Sequence, residues 1–145
     1  MLTSPDITLI SKYPFSIDGN PSPDNYYNNH FVPWAIKSPL LAYMGIFTAS
    51  CYQAQAQNIP QGKCALSLSY KAKAIRLLNE MMKSKETSIN DEAITCVVYL
   101  VFNEWYWSAY QNVEQHMKGL RQMVRLRGGL GELGKGGFLR KMVLL

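Results

Sequence analysis

Glu104 and His116 are the residues of this 145-residue chain whose types could do acid–base work together. Glu104 falls four residues after Leu100 and seven after Val97, on what is otherwise an apolar helical stripe. A carboxylate there needs a partner if it is buried. His116, or Arg127 further along, can be that partner, and a carboxylate held against an imidazole can in principle take up and return a proton. No nucleophile, second carboxylate or metal-ligand spacing accompanies the pair, so a structural ion pair or hydrogen bond is the stronger reading and no catalytic residue is assigned.

The other chemically suggestive residues are read more plainly. Cys51, Cys64 and Cys96 are odd in number and too widely spaced for a disulfide framework or a metal knuckle, which fits free thiols in a reducing compartment. A reactive thiol needs a neighbour that lowers its pKa, and none adjoins these in sequence. His30 and His116 are the two histidines and have no ligand-spaced companion, so no metal site is expected, and no cofactor either. The cluster Gly128, Gly129, Gly131, Gly134, Gly136 and Gly137 follows a helix, and Lys135 is followed by glycine, which is the wrong context for a phosphate loop. Helix capping and a turn account for it. The aromatics Trp105, Tyr106, Trp107 and Tyr110 could stack bases, but without a sheet platform they read as core and interhelical packing.

The elements that must position these residues are helices. The first should begin near Pro33 or Ser38-Pro39 and run to about Gln57, with apolar residues on most sides, as in a helix buried against several neighbours. Asn58-Ile59-Pro60-Gln61-Gly62 ends it. A second runs from about Cys64 to Lys83, with Leu68, Ala72, Ile75, Leu78 and Met82 as its apolar stripe and Lys71, Lys73, Arg76, Asn79 and Glu80 on or near the opposite side. Ser88 and Asp91 have the spacing of a helix start, and a third helix follows to about Tyr110 with Ala93, Val97, Leu100 and Val101 inward. Residues 94–102 also have strand propensity, so a mixed fold with a buried strand is the alternative; the length of the apolar pattern favours a helix. The fourth helix covers about Asn112 to Arg127 and is stopped by Gly128-Gly129. A last helical stretch runs from Phe138 to Leu145, and a chain that stops inside such an apolar run reads as part of a longer domain.

The fold class expected is therefore all-α, a bundle of about five helices over residues 34–145, preceded by an irregular aromatic N-terminal arm over 1–33, where Pro5, Pro14, Pro21, Pro23 and Pro33 interrupt any element. Length suits one core. With 48% hydrophobic and 17% charged residues the chain is no disordered tail. The longest apolar stretch, Pro39 to Tyr52, is too short to span a bilayer, and no signal segment opens the chain, so neither membrane association nor secretion is expected.

Charge is uneven. Residues 1–111 hold eight Lys or Arg against eight Asp or Glu, whereas 112–145 hold seven against two, so the net charge of +5 lies in the last 34 residues. Lys118, Arg121 and Arg125 share one side of the fourth helix as a basic face. Three aligned cations attract phosphate only weakly and with strong salt dependence, and no residue set has the register to read base edges. An exposed ridge that meets an acidic partner, or keeps the domain soluble, is the better reading.

Two segments carry a family resemblance. Phe31-Val32-Pro33-Trp34-Ala35-Ile36-Lys37-Ser38-Pro39-Leu40-Leu41 resembles the lead into the first helix of the fungal-specific transcription factor domain. The run His116 to Leu133 is similar to that family's H-x-x-G-L-x-x-M-V-x-x-R-G-G-L signature, matching at His116, Gly119, Leu120, Met123, Val124, Arg127, Gly128, Gly129 and Leu130. The resemblance spans about residue 31 to the C-terminus. It implies a helical regulatory domain of zinc-cluster regulators, nuclear, non-enzymatic and working through protein partners. The family's DNA-reading module is a six-cysteine zinc cluster, which three scattered cysteines cannot build, so sequence-specific DNA binding by this chain alone is not expected. Physically, Gly119 would allow close approach of a neighbouring helix, and Arg127 would donate to carbonyls at nearby helix ends or to Glu104. The rival readings are a small helical enzyme using Glu104 and His116, and a weak, non-specific nucleic-acid binder.

Overall fold

Ser38 and Pro39 set the start of the buried helix Pro39–Ala56. Ser38 Oγ accepts a hydrogen bond from the Leu41 amide at 3.3 Å, and Pro39 occupies the first turn, where its missing N–H costs nothing. The structure, a computed structural model, describes residues 27–60, 62–106, 110–134 and 138–144. They belong to two compact units, Met1–Arg76 and Leu77–Leu145. The expected arm lies outside the described residues up to position 26. Within the described residues the arm is helical, with Tyr27–Phe31 forming a π-helical turn.

In the first unit that turn leads into α1 (Val32–Lys37), where Pro33 sits in the opening turn, and then into α2 (Pro39–Ala56). Phe31, Leu40, Leu41, Met44, Phe47, Ala49 and Ala54 are buried, which puts apolar contacts on more than one side of α2 as the sequence predicts. Asn58, in the left-handed region at φ 58°, turns the chain after α2 while the Ile59 amide returns to the Ala54 carbonyl at 2.9 Å. The chain then runs into α3 (Ala65–Met82), whose last residues belong to the second unit.

The burial of α3 corrects the sequence reading. Leu68 is 47% exposed, and Ala72, Ile75 and Met82 are exposed with it. The buried positions are Ser67, Ala74 and Leu78, so the inward face is rotated about one residue from the apolar stripe, of which Leu78 alone is buried. The cause is visible in the contacts. Ser67 Oγ lies 2.8 Å from Ser50 Oγ on α2, Tyr70 packs on Tyr43, and Lys71 and Lys73 lay their ammonium groups over the rings of Phe47, Tyr43 and Tyr70. A paired serine and stacked lysines take the side expected to face solvent, because hydroxyl pairing and cation–π contact satisfy groups that a count of apolar residues assigns to water.

In the second unit a short helix α4 (Lys85–Ser88) precedes α5 (Asp91–Tyr106), α6 (Tyr110–Arg127), a 3-10 turn (Leu130–Glu132) and α7 (Phe138–Leu144). The helix start expected at Ser88 lies two residues later. Asn90 Oδ1 accepts from the Ala93 amide at 2.9 Å, while Ser88 Oγ donates to the Lys85 carbonyl and closes α4. Residues 93–98 are buried without a break, as are Leu100, Asn103 and Glu104. Unbroken burial is why this run resembles a strand, but every described residue from 91 to 106 is helical. Helix α5 packs along α6 and against α7, where Leu139 and Met142 are buried. Among the described residues there are seven α-helices and no strand, so the fold is all-α. None of these helices is long and apolar enough to cross a membrane.

Candidate functional site

The signature residues lie on α6 and the turn that follows it, and they hold α5 from both ends. At one end His116 Nε2 lies 3.2 Å from Glu104 Oε1, with the carboxylate buried and the imidazole one-third exposed. Near the other end Arg127 Nη2 meets Asp91 Oδ1 at 2.9 Å and Nη1 donates to the Ile89 carbonyl at 2.9 Å. Asp91 opens α5 and Arg127 ends α6, so the helices are antiparallel and the two contacts sit about three turns apart along α6. Between them Leu120 and Met123 are buried, and Val124 is half-buried.

Arg127 answers two separate demands of its partner helix. The Ile89 carbonyl lies just before α5 and accepts one guanidinium N–H, while the Asp91 carboxylate, already favoured at a helix start, takes another. Both side chains are less than one-quarter exposed. The sequence reading allows Arg127 to donate to helix-end carbonyls or to Glu104. The structure gives it the carbonyl and assigns Glu104 to His116.

The glycines divide by what they do. Gly128 and Gly129 have φ of 114° and 105°, and the Gly129 amide returns to the Val124 carbonyl at 2.9 Å while that of Gly128 reaches Arg125 at 3.1 Å. This is the helix stop expected at these positions. It turns the chain so that Leu133 is buried and the Gly134 amide donates to Asp91 Oδ1 at 3.3 Å. A Cβ on Gly134 would fall on the Asp91 carboxylate. Gly119 corrects the sequence reading: it is exposed, and a Cβ there would meet nothing within 4 Å, so no neighbouring helix uses the gap.

The basic face is exposed at Lys118, Arg121 and Arg125, and Lys118 shares its charge with Glu114 at 3.6 Å. Trp105, Tyr106 and Tyr110, read from the sequence as interior packing, are 60%, 41% and 60% exposed, whereas Trp107 lies outside the described residues. They sit at the α5–α6 connection, where the helices run out of facing surface. Among the described residues no group of three or more His, Cys, Asp or Glu could hold a metal ion. Burial pushes the Cys96 thiol on α5 up to about 12.

Two residues of this arrangement escape the sequence reading. Asn90 as the cap and Gly134 against Asp91 have no signal beyond residue type, since only the fold brings position 134 to position 91.

A family model described as the fungal specific transcription factor domain matches residues 10–143, a span that begins ahead of the residue-31 start of the resemblance and takes in both units. No curated protein and no solved structure matches the chain.

Proposed function

The chain belongs to the fungal specific transcription factor domain family, and from that membership we propose that it is a nuclear, non-enzymatic regulatory domain that acts through contacts with other proteins. The observation that supports this most is the use made of the signature. His116 is bonded to the buried Glu104, and Arg127 bridges Asp91 and Ile89, so the motif's polar groups are engaged in holding α5 to α6. Chemistry on a substrate would need a positioned acid or base within reach of a reacting group, and this pair is turned on itself. The rigid pair leaves Arg121 and Arg125 exposed on α6, a face suited to an acidic protein segment.

The test tethers the full chain to a reporter promoter in a fungal cell through an unrelated DNA-binding module. A several-fold rise or fall in transcript over the module alone is expected. An unchanged transcript from a tethered chain shown to be folded and nuclear overturns the proposal. A parallel titration with random duplex DNA should show binding that collapses between low and near-physiological salt, as for a surface offering about three cations. Micromolar binding that survives the higher salt and is lost on changing Lys118, Arg121 and Arg125 to Ala would shift the reading to a nucleic-acid binder.

A further inference from the structure

The side of α3 turned away from α2 carries an apolar stripe that stays in contact with water. Ala65, Leu68, Ala72 and Ile75 are all exposed, and they follow one another at intervals of three, four and three residues. That is the spacing of a seam between two helices, since positions three and four apart line one side of a helix. Ser67 and Ala74 are buried on the other side, where Ser67 meets Ser50 of α2. A single exposed leucine needs no explanation. Apolar residues in register along a helix side mark a place where another element packs.

Charge selects what packs there. From Asn25 to Asn79 the sequence holds no Asp or Glu and carries Lys37, Lys63, Lys71, Lys73 and Arg76, a local excess that the balance over residues 1–111 averages away. Lys71 lies on one flank of the stripe and the exposed Arg76 on the other. Rings hold two of these cations in place: Lys71 Nζ is 5.8 Å from the Phe47 ring centre, and Lys73 Nζ is 5.1 Å from that of Tyr70 and 5.6 Å from that of Tyr43. Ammonium groups fixed in this way lose little further freedom on meeting a carboxylate. A second copy of α3 fits poorly. A parallel pair sets Lys71 of each chain against Arg76 of the other, and an antiparallel pair sets each cation against its own copy, with no carboxylate in either case. Phosphate would satisfy the cations but leave Leu68 and Ile75 in water, which places nucleic acid below a helix as the occupant. Along the stripe alanine alternates with leucine or isoleucine, so Ala65 and Ala72 leave shallow gaps for large side chains of an opposing helix.

We propose that the exposed side of α3 over residues 65–76 docks an acidic amphipathic helix of a partner protein, which seats Leu or Ile side chains over Ala65 and Ala72 and turns Asp or Glu toward Lys71 and Arg76. The inference rests on the reading of the chain as a domain that works through protein contacts, and it names one such contact, on residues separate from the Arg121 and Arg125 face of α6. Burial of the two apolar stripes supplies the affinity, and the carboxylates supply the choice of partner. Added salt therefore weakens the contact without abolishing it.

The probe is a fluorescein-labelled helical peptide of about three heptads, with Leu at both seam positions and Glu on both flanks, titrated with the full chain by fluorescence anisotropy. A second peptide carries Lys on the flanks, and a third keeps the composition of the first with its leucines scattered around the helix. At near-physiological salt the acidic peptide should bind with a micromolar Kd and the other two at least about tenfold more weakly. Changing Leu68 and Ile75 together to Gln should weaken the acidic peptide by about tenfold or more, and Arg76→Glu should weaken it while tightening the lysine peptide. All three positions are exposed, so circular dichroism and urea midpoints should match those of the unchanged chain. A photo-crosslinker at the peptide's central seam position should join residues 64–76. Equal binding of the three peptides, a cross-link on α6, displacement of the acidic peptide by random duplex DNA at near-physiological salt, or a dimer in sedimentation velocity that the double Gln change returns to monomer would each overturn the proposal. An inert chain in the reporter experiment would remove the regulatory reading and leave the peptide result standing, whereas a reporter response without peptide binding would remove the α3 surface alone.

Discussion

Helices α5 and α6 are held by an ion pair and a carboxylate–imidazole contact, whereas α2 and α3 meet through paired hydroxyls, stacked rings and ammonium groups laid on rings. In the first pair the contacts span helix ends: Arg127 joins the start of α5, and His116 joins Glu104 near its finish. In the second pair they run along the facing sides, from Tyr43 and Tyr70 to Ser50 and Ser67. Directional charged contacts fix the register of two helices, because a slip of one residue separates the partners and leaves Glu104 buried without its imidazole. Hydroxyl pairs and stacked lysines tolerate small rotations. The contrast suggests why the recognisable motif belongs to α6: fixing a register needs particular residues at particular places.

Substitutions at an apolar position in each pair test this contrast with the largest effect. Leu100 is 3% exposed on α5 and Leu68 is 47% exposed on α3. Leu100→Asp should abolish cooperative folding, since an unpaired buried charge costs several kcal/mol, while Leu68→Asp should cost under about 1 kcal/mol in urea denaturation. Equal losses would return α3 to the register its apolar stripe suggests.

A pH series sharpens the account of the α5 core. Burial raises the Cys96 thiol from 9 to about 12. The unfolded chain ionises this thiol first, so it binds fewer protons than the folded chain above pH 9, and the stabilising contribution of neutral Cys96 is full below that pH and lost as pH rises toward 12. At about 1.4 kcal/mol per pH unit the loss is on the order of 4 kcal/mol across the window. Cys96→Val removes this thiol's contribution, so the wild-type curve minus the variant curve should slope downward from pH 9. A difference that stays flat would mean that the thiol is solvated.

Next comes Gly134→Ala, which puts a methyl on the Asp91 carboxylate and should cost about 1–3 kcal/mol by displacing the acceptor that Arg127 uses. Gly119→Ala is the smallest effect and has the opposite sign. With nothing within 4 Å of the new Cβ, the gain in helix propensity should stabilise the domain by about 1 kcal/mol. If the tethered reporter response falls while stability rises, the exposed face at Gly119 is a partner contact.

The helices were legible wherever one local rule governed them. Ser38-Pro39 marks the start of α2 and Gly128-Gly129 the stop of α6, because caps and left-handed glycines act within a few residues. The register of α3 was not legible, since Ala65, Leu66, Leu68, Ala72 and Ala74 offer two apolar stripes one residue apart, and the choice falls to Ser67 meeting Ser50 seventeen positions away. The same holds for the site. The sequence offers His116 or Arg127 as a partner for Glu104, but the choice of His116, like Arg127 on Asp91, depends on where the antiparallel pair comes into register, and the exposure of Trp105 and Tyr110 on where it ends.

The account turns on the signature residues acting as a clasp between α5 and α6, and a double-mutant cycle between Arg127→Ala and Asp91→Ala measures this most directly. Arg127→Ala alone should cost about 2–3 kcal/mol, because it leaves Asp91 and the Ile89 carbonyl without their shared donor in a partly buried place. The account predicts a coupling energy of about 1–2 kcal/mol between the two changes in urea denaturation. Losses that add to within about 0.5 kcal/mol would contradict it, and would place the role of Arg127 outside the fold.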